Sequence, residues 1–199
     1  MRRGRLILAS RSPRRRELLE AAGWEVIPAE ATVDDGELHP GKATPAAWTT
    51  ALAWLKARST QRALAEAGSA VDAPIVAGDT VCELDGVIVG QPASGEAAAA
   101  MIRLMRGTSH RVWTGLCVIP RSGRRQMAAD HALVTMGSLT DAQVDAYVAS
   151  GGWQGKAGAY NLADRIEAGW PIHHDGHAST IMGMPLPLLE QLLEATRRE

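Results

Sequence analysis

Short apolar runs alternate with amphipathic stretches along this chain, and that alternation predicts a mixed α/β fold. Leu6-Ile7-Leu8-Ala9 reads as a buried strand and Ser10-Arg11-Ser12 as a turn. Pro13 opens a helix, with Ser12 as its N-cap and Gly23 as its stop. Trp24-Glu25-Val26-Ile27 alternates as a second strand. Thr44-Pro45 repeats the cap-and-proline start for a helix to Gly68, with Trp48, Leu52 and Leu55 at helical spacing and Lys56 on its exposed side. Ile75-Val76-Ala77 reads as a short buried strand ending at Gly78-Asp79-Thr80. Residues 81–84 and 87–89 flank Asp85-Gly86, a strong hairpin signal. An alanine-rich helix from Ser94 to Arg106 stops at Gly107. His110 to Ile119 and Gln126 to Met136 make a longer hairpin around Ser122-Gly123. Thr140 and Gln143 form a capping box, and Leu139 and Val144 a hydrophobic staple, for a helix to about Ser150. Residues 151–160 are glycine-rich and without a period. Pro185 and Pro187 precede a last amphipathic helix, Leu188 to about Arg197. No internal repeat interrupts the pattern, so residues 1–199 are expected to form one unit.

Composition narrows the classes. Among 199 residues, 46% are apolar and 22% charged, enough for a packed core without disulfides or a structural metal. The formal net charge of −1 provides no global basic field of the kind a dedicated nucleic-acid binder shows, so any anion site is local and no nucleic-acid partner is expected. A minor-groove hook formed by Ser12-Pro13-Arg14-Arg15 is the nucleic-acid alternative, and the same charge balance argues against it. Cys82 and Cys117 lie in apolar runs and read as reduced core residues. Arg2, Arg3 and Arg5 imitate the start of a secretory leader, but the apolar run behind them is too short. No run spans a membrane, and a cytoplasmic protein is expected.

The candidate chemistry centres on Arg14, Arg15 and Arg16 in the first turn of the first helix. Cations at the positive end of a helix dipole cost a few tenths of a kcal/mol each unless an anion sits there. Free N–H groups and forked guanidinium groups together suit a polyanion such as a triphosphate. The alternative is a solvated basic turn. Asp79, placed at a strand's end, could hold a divalent ion or take a proton from water, or serve only as a turn residue. Asp35, with Asp34 and Glu37, could add oxygen ligands for a hard cation. Lys56 reads as a surface lysine and Lys156, among glycines, as a phosphate contact. His173-His174-Asp175-Gly176-His177 lacks the spacing of known ligand sets and reads as surface, and His110 as a core or cap residue. Walker, paired CxxC and Gly-x-Ser-x-Gly motifs are absent from the sequence.

Six blocks stand in a telling order: Ala9-Ser10-Arg11-Ser12-Pro13-Arg14-Arg15, Leu52-Ala53-Trp54-Leu55-Lys56-Ala57, Gly78-Asp79-Thr80-Val81, residues 107–115, Lys156-Ala157-Gly158-Ala159-Tyr160 and Gly183-Met184-Pro185-Leu186. Together they resemble the Maf (septum-formation) proteins, house-cleaning nucleoside triphosphate pyrophosphatases. The resemblance implies a two-lobed mixed-sheet α/β fold like that of inosine triphosphate pyrophosphatases, with flanking helices, a central cleft and a homodimer. It also implies Mg²⁺- or Mn²⁺-dependent hydrolysis of a nucleoside triphosphate to monophosphate and pyrophosphate. On this pattern Asp79 takes the place of the proton-accepting carboxylate. Ser10, Arg14, Arg15, Lys56 and Lys156 take those of the triphosphate contacts, and Asp35 joins Asp79 at the metal. Two positions depart from it. Gln91 stands where the family usually has lysine, and Ala163 where the dTTP- and UTP-directed branch carries a base-marking glutamine, although Arg14 and Thr80 match that branch. The rival reading is a nucleotide-binding regulator of cell division that hydrolyses nothing.

Overall fold

The computed structural model describes residues 3–29, 33, 38–69, 72–121 and 124–197. Seven strands form one mixed sheet: β1 (Arg5–Ala9), β2 (Glu25–Ala29), β3 (Ile75–Leu84), β4 (Val87–Val89), β5 (Thr108–Ile119), β6 (Gln126–Met136) and β7 (Ile172–Asp175). The order is β2-β1-β3-β5-β6-β7, with β4 on the far part of β3. β2, β1 and β3 run parallel, joined by helical crossovers, and the remaining pairs are antiparallel.

The helices are α1 (Pro13–Ala21), α2 (Pro45–Glu66), α3 (Gly95–Met105), α4 (Asp141–Ala149), α5 (Leu162–Glu167), α6 (Ala178–Ile181) and α7 (Leu186–Arg197). Their starts follow local chemistry. Ser12, Thr44, Ser94 and Thr140 each accept from the N–H three residues on, and both halves of the Thr140/Gln143 box are made. Asp85 and Gly86 take φ of +50° and +80°, the left-handed pair that a tight hairpin needs. The predicted Ser122-Gly123 turn lies outside the described residues. The last helix begins two residues earlier than expected, because Pro187 fits its first turn without an N–H. No helix among the described residues is long and apolar enough to cross a membrane.

β3 is the main departure from the sequence reading. It runs on as a ten-residue strand, so Asp79 sits in mid-strand opposite Gly115 of β5, and not at a strand's end. Only its other edge changes partner. β1 pairs with β3 through Val76, and β4 picks it up again at Cys82. Between them residues 77–81 leave one edge of the sheet open. Asp79 and Thr80, which point to opposite faces, are both reached around this edge.

Three buried clusters surround the gap. Ile7, Ala9, Ile75, Ala77 and Cys117 pack under Ala53 and Ala57 of α2. Leu6, Leu8, Val76 and Leu116 pack on the other face against Leu19 of α1 and Leu189 of α7. Ile102, Val134, Val144, Tyr147 and Trp170 fill the interior beyond β4. Both cysteines are buried and unpaired, and burial pushes Cys82 up to about 12 and Cys117 to about 11.

His110 belongs to that last interior, as its core reading anticipated. It is 2% exposed, its Nε2 lies 2.8 Å from the Tyr160 hydroxyl, and its Nδ1 has no partner. Burial lowers its pKa from 6.5 to about 4. Below about 6.5 the unfolded chain therefore takes up a proton that the native state refuses. Stability is full above that pH and falls by about 1.4 kcal/mol per unit toward pH 4. Urea titrations across this range should show that slope, and His110→Gln should flatten it. Equal slopes would assign acid loss to other groups.

Candidate functional site

A cavity of about 700 Å³ opens at the unpaired edge of β3. Ser10, Arg14, Arg15, Lys56, Asp79, Thr80, Gln91 and Lys156, expected to act together, all line it although they come from stretches up to 146 residues apart. Asp35 lies outside the described residues. Arg11, Arg14, Arg15, Lys56 and Lys156 bring five cations to the described wall, against two carboxylates, Glu17 and Asp79. In a chain of net charge −1, this local excess gives the cavity an electrostatic character suited to an anion.

Lys56 is not the surface residue that its helix position suggested. Its stripe on α2 is Thr49, Leu52, Ala53, Ala57 and Thr60, which faces the sheet, so Lys56 lies at the margin of the buried face. Its side chain is 17% exposed and Nζ lies 2.6 Å from Asp79 Oδ1. Asp79 itself is 8% exposed. Its Oδ2 carries no hydrogen bond among the described residues. The charge pair thus orients the carboxylate and leaves one oxygen for chemistry.

Arg15 is held by a fork of contacts. Nε donates to the Gly183 carbonyl at 2.8 Å, Nη1 to Ser10 Oγ at 3.1 Å and Nη2 to Thr80 Oγ1 at 3.2 Å. Gly183 allows this approach: it has φ +90°, and a Cβ there would come within 3.0 Å of Thr80 Oγ1 and 3.3 Å of Arg15 Nε. Ser10 also accepts from the Ser12 N–H, which leaves its own hydroxyl hydrogen for a ligand.

The direction of hydrogen bonding at Thr80 is determined by its neighbours. Thr114 Oγ1 donates to the Thr180 carbonyl at 2.7 Å, which uses its single hydrogen. Thr80 and Thr114 hydroxyls lie 2.9 Å apart, so Thr80 is the donor there and an acceptor from Arg15. The Thr80 hydroxyl can therefore only accept from a substrate, which limits the substrate-contact role expected of it. Thr180 Oγ1 in turn donates to Asp130 at 2.7 Å and closes the chain.

Across the cavity, Arg14 donates to Asn161 Oδ1 at 2.8 Å and pairs with Asp164 at 3.4 Å. Lys156 lies 3.6 Å from the other oxygen of Asp164 and donates to the Gly152 carbonyl. Asn161 and Asp164 were missed from the sequence. The available signal was an asparagine before Leu162-Ala163-Asp164, which is an N-cap, and its Oδ1 does accept from the Ala163 N–H at 3.0 Å. Nothing local reveals that the same oxygen meets an arginine 147 residues away.

Among the described residues no group of three or more His, Cys, Asp and Glu is gathered as a metal cage. His173 and His174 lie on the edge strand β7 with exposed side chains, in keeping with the surface reading.

Comparison with known proteins finds likeness along nearly the whole chain. A family profile described as Maf-like protein matches residues 5–196. A dTTP/UTP pyrophosphatase of Pelotomaculum thermopropionicum is 38% identical over 190 residues, covering 95% of each chain. One from Cupriavidus metallidurans is 40% identical over 186 residues, covering 91% of each. Among solved structures, the Staphylococcus aureus Ham1 protein superposes with a TM-score of 0.41 at 14% identity, over 66% of this chain and 71% of that one.

Proposed function

The chain belongs to the family of Maf-like proteins, and we propose that it hydrolyses a pyrimidine nucleoside triphosphate to the monophosphate and pyrophosphate. The observation that carries this reading is the Asp79–Lys56 pair set at 2.6 Å beside the Arg11–Arg14–Arg15–Lys156 wall of one cavity. The names of its relatives, dTTP/UTP pyrophosphatase, support the base class.

Cleavage between the α and β phosphates needs a water stripped of its proton, neutralisation of the phosphate oxygens and in-line placement. The cations supply the second requirement. Arg15, held by Gly183, Ser10 and Thr80, contributes charge from a guanidinium that does not move, and preorganised charge costs no rearrangement at the moment of reaction. Ser10 donates its hydroxyl hydrogen to a phosphate oxygen. Asp79 Oδ2 accepts the proton of the attacking water while Lys56 holds Oδ1. When phosphate arrives, Arg14 and Lys156 exchange part of their pairing with Asp164 for the stronger anion.

The donor set also fits a divalent ion of the Mg²⁺ or Mn²⁺ kind. Such ions take one or two carboxylates and complete their shell with water and phosphate oxygens. Asp79 offers one oxygen that no described residue engages, and Asp35 is the second ligand proposed. A bound ion would add Lewis-acid neutralisation of the phosphates.

A panel of nucleoside triphosphates incubated with the protein and Mg²⁺ or Mn²⁺ tests the proposal. Monophosphate and pyrophosphate should appear in equal amounts, fastest from UTP and dTTP. Inorganic phosphate with a diphosphate left behind would refute it. Tight nucleotide binding without any pyrophosphate would instead favour a non-hydrolysing regulator.

A further inference from the structure

We infer that Asn161 reads the nucleobase, donating its amide N–H to the carbonyl oxygen that uracil and thymine carry where cytosine has an amino group. The inference rests on the nucleotide hydrolysis proposed above and adds a residue to it.

The orientation of this side chain is not open to choice. Arg14 Nη1 at 2.8 Å and the Ala163 N–H at 3.0 Å both point at one terminal atom of the carboxamide. Both are obligate donors, so that atom is the oxygen and the other is the nitrogen. Nδ2 then carries two hydrogens with no acceptor among the described residues. Asn161 is only 7% exposed and lines the cavity. The amide nitrogen therefore meets the cavity with both hydrogens uncommitted and its orientation already set, a donor prepared for an acceptor on the ligand.

A nucleotide offers acceptors on its phosphates, its sugar and its base. The phosphate needs are met by the five cations. Asn161 instead stands between Tyr160 and Leu162, and Cys82, Val112 and Ile181 line the same cavity. Apolar walls with one placed donor suit a flat ring more than a phosphate. An amide N–H that meets a base carbonyl oxygen makes a hydrogen bond. Facing an amino group, it sets donor against donor and leaves both unpaired, which is the strongest form of rejection a pocket offers.

Asn161→Asp and Asn161→Ser test this cleanly. Both keep an oxygen to cap α5 and remove the amide donor, and the serine variant adds no charge. Turnover of UTP, dTTP and CTP would be compared as kcat/KM, alongside inhibition by inorganic pyrophosphate. The preference of the native protein for UTP over CTP should fall about ten- to a hundredfold in both variants, the loss of one hydrogen bond. Pyrophosphate inhibition of the serine variant should stay as in the native protein. Unchanged preference in both variants would overturn the inference, as would an equal loss for every nucleotide with weakened pyrophosphate inhibition. A native protein that hydrolyses UTP and CTP equally well would overturn it too, leaving the hydrolytic activity standing. Failure of the native protein to release pyrophosphate from any nucleotide would overturn the activity itself.

Discussion

Asp79→Asn is expected to lose about a thousandfold in turnover, the range of a positioned general base, while nucleotide affinity falls little. The amide is nearly the same size, so the cavity keeps its shape, but it cannot take a proton from water. Its partner is the reason to measure more than rate. Lys56 is mostly buried, and the variant replaces the carboxylate 2.6 Å from it with a neutral group. Weakening the charge pairing of a mostly buried cation destabilises the fold. Circular dichroism and thermal melts must therefore accompany the kinetics. Calorimetric titration with UTP should still show binding, because the cationic wall is untouched. Retained turnover in a folded variant would move the proton acceptor elsewhere and remove the central step proposed for this site.

Gly115→Ala is expected to be the most damaging single methyl group in the molecule. A Cβ at this position would lie 2.4 Å from the Thr49 carbonyl carbon and 2.4 Å from the Thr50 nitrogen. Those are backbone atoms of α2 and cannot rotate aside, so the helix itself must lift from the sheet. Overpacking of this kind costs about 3 kcal/mol, and more where backbone is displaced. The consequence reaches the site, because α2 carries Lys56 to Asp79 and Gly115 is the residue paired with Asp79 in the sheet. A lower urea midpoint should thus come with a drop in kcat. Native-like stability would show that α2 has room to shift, and that its close approach is not what positions Lys56.

The same close approach explains what the sequence concealed. The hydropathy pattern of α2 points to Trp48, Leu52 and Leu55 as its inner face. In the structure the helix turns Thr49, Leu52, Ala53, Ala57 and Thr60 to the sheet. Small residues are required there because the helix lies against a glycine, and a stripe of alanine and threonine has little hydrophobic contrast to detect. Lys56 therefore looked like a surface residue from its spacing, and only the resemblance to a family counted it among the expected phosphate contacts. Asp79 stood out as a candidate for its setting after a buried apolar run and a glycine. Its place within the strand did not, because Thr80 and Val81 continue β3 only through pairing with Thr114 and Trp113 of β5, more than thirty residues away.

The sequence by itself determined the local elements and most of the site's membership. Caps at Ser12, Thr44, Ser94 and Thr140, the Asp85-Gly86 turn and the crowded arginines after Ser12 are short-range chemistry, decided by neighbours along the chain. Tertiary structure alone decided which of those groups remain available to a ligand. Arg15 is forked between Gly183, Ser10 and Thr80, the Thr80 hydroxyl is committed to Thr114, and the Asn161 amide is turned by Arg14. Each of these is a hydrogen bond between residues from 5 to 168 positions apart. A hydrogen can be given only once, and where it goes depends on what the fold brings near.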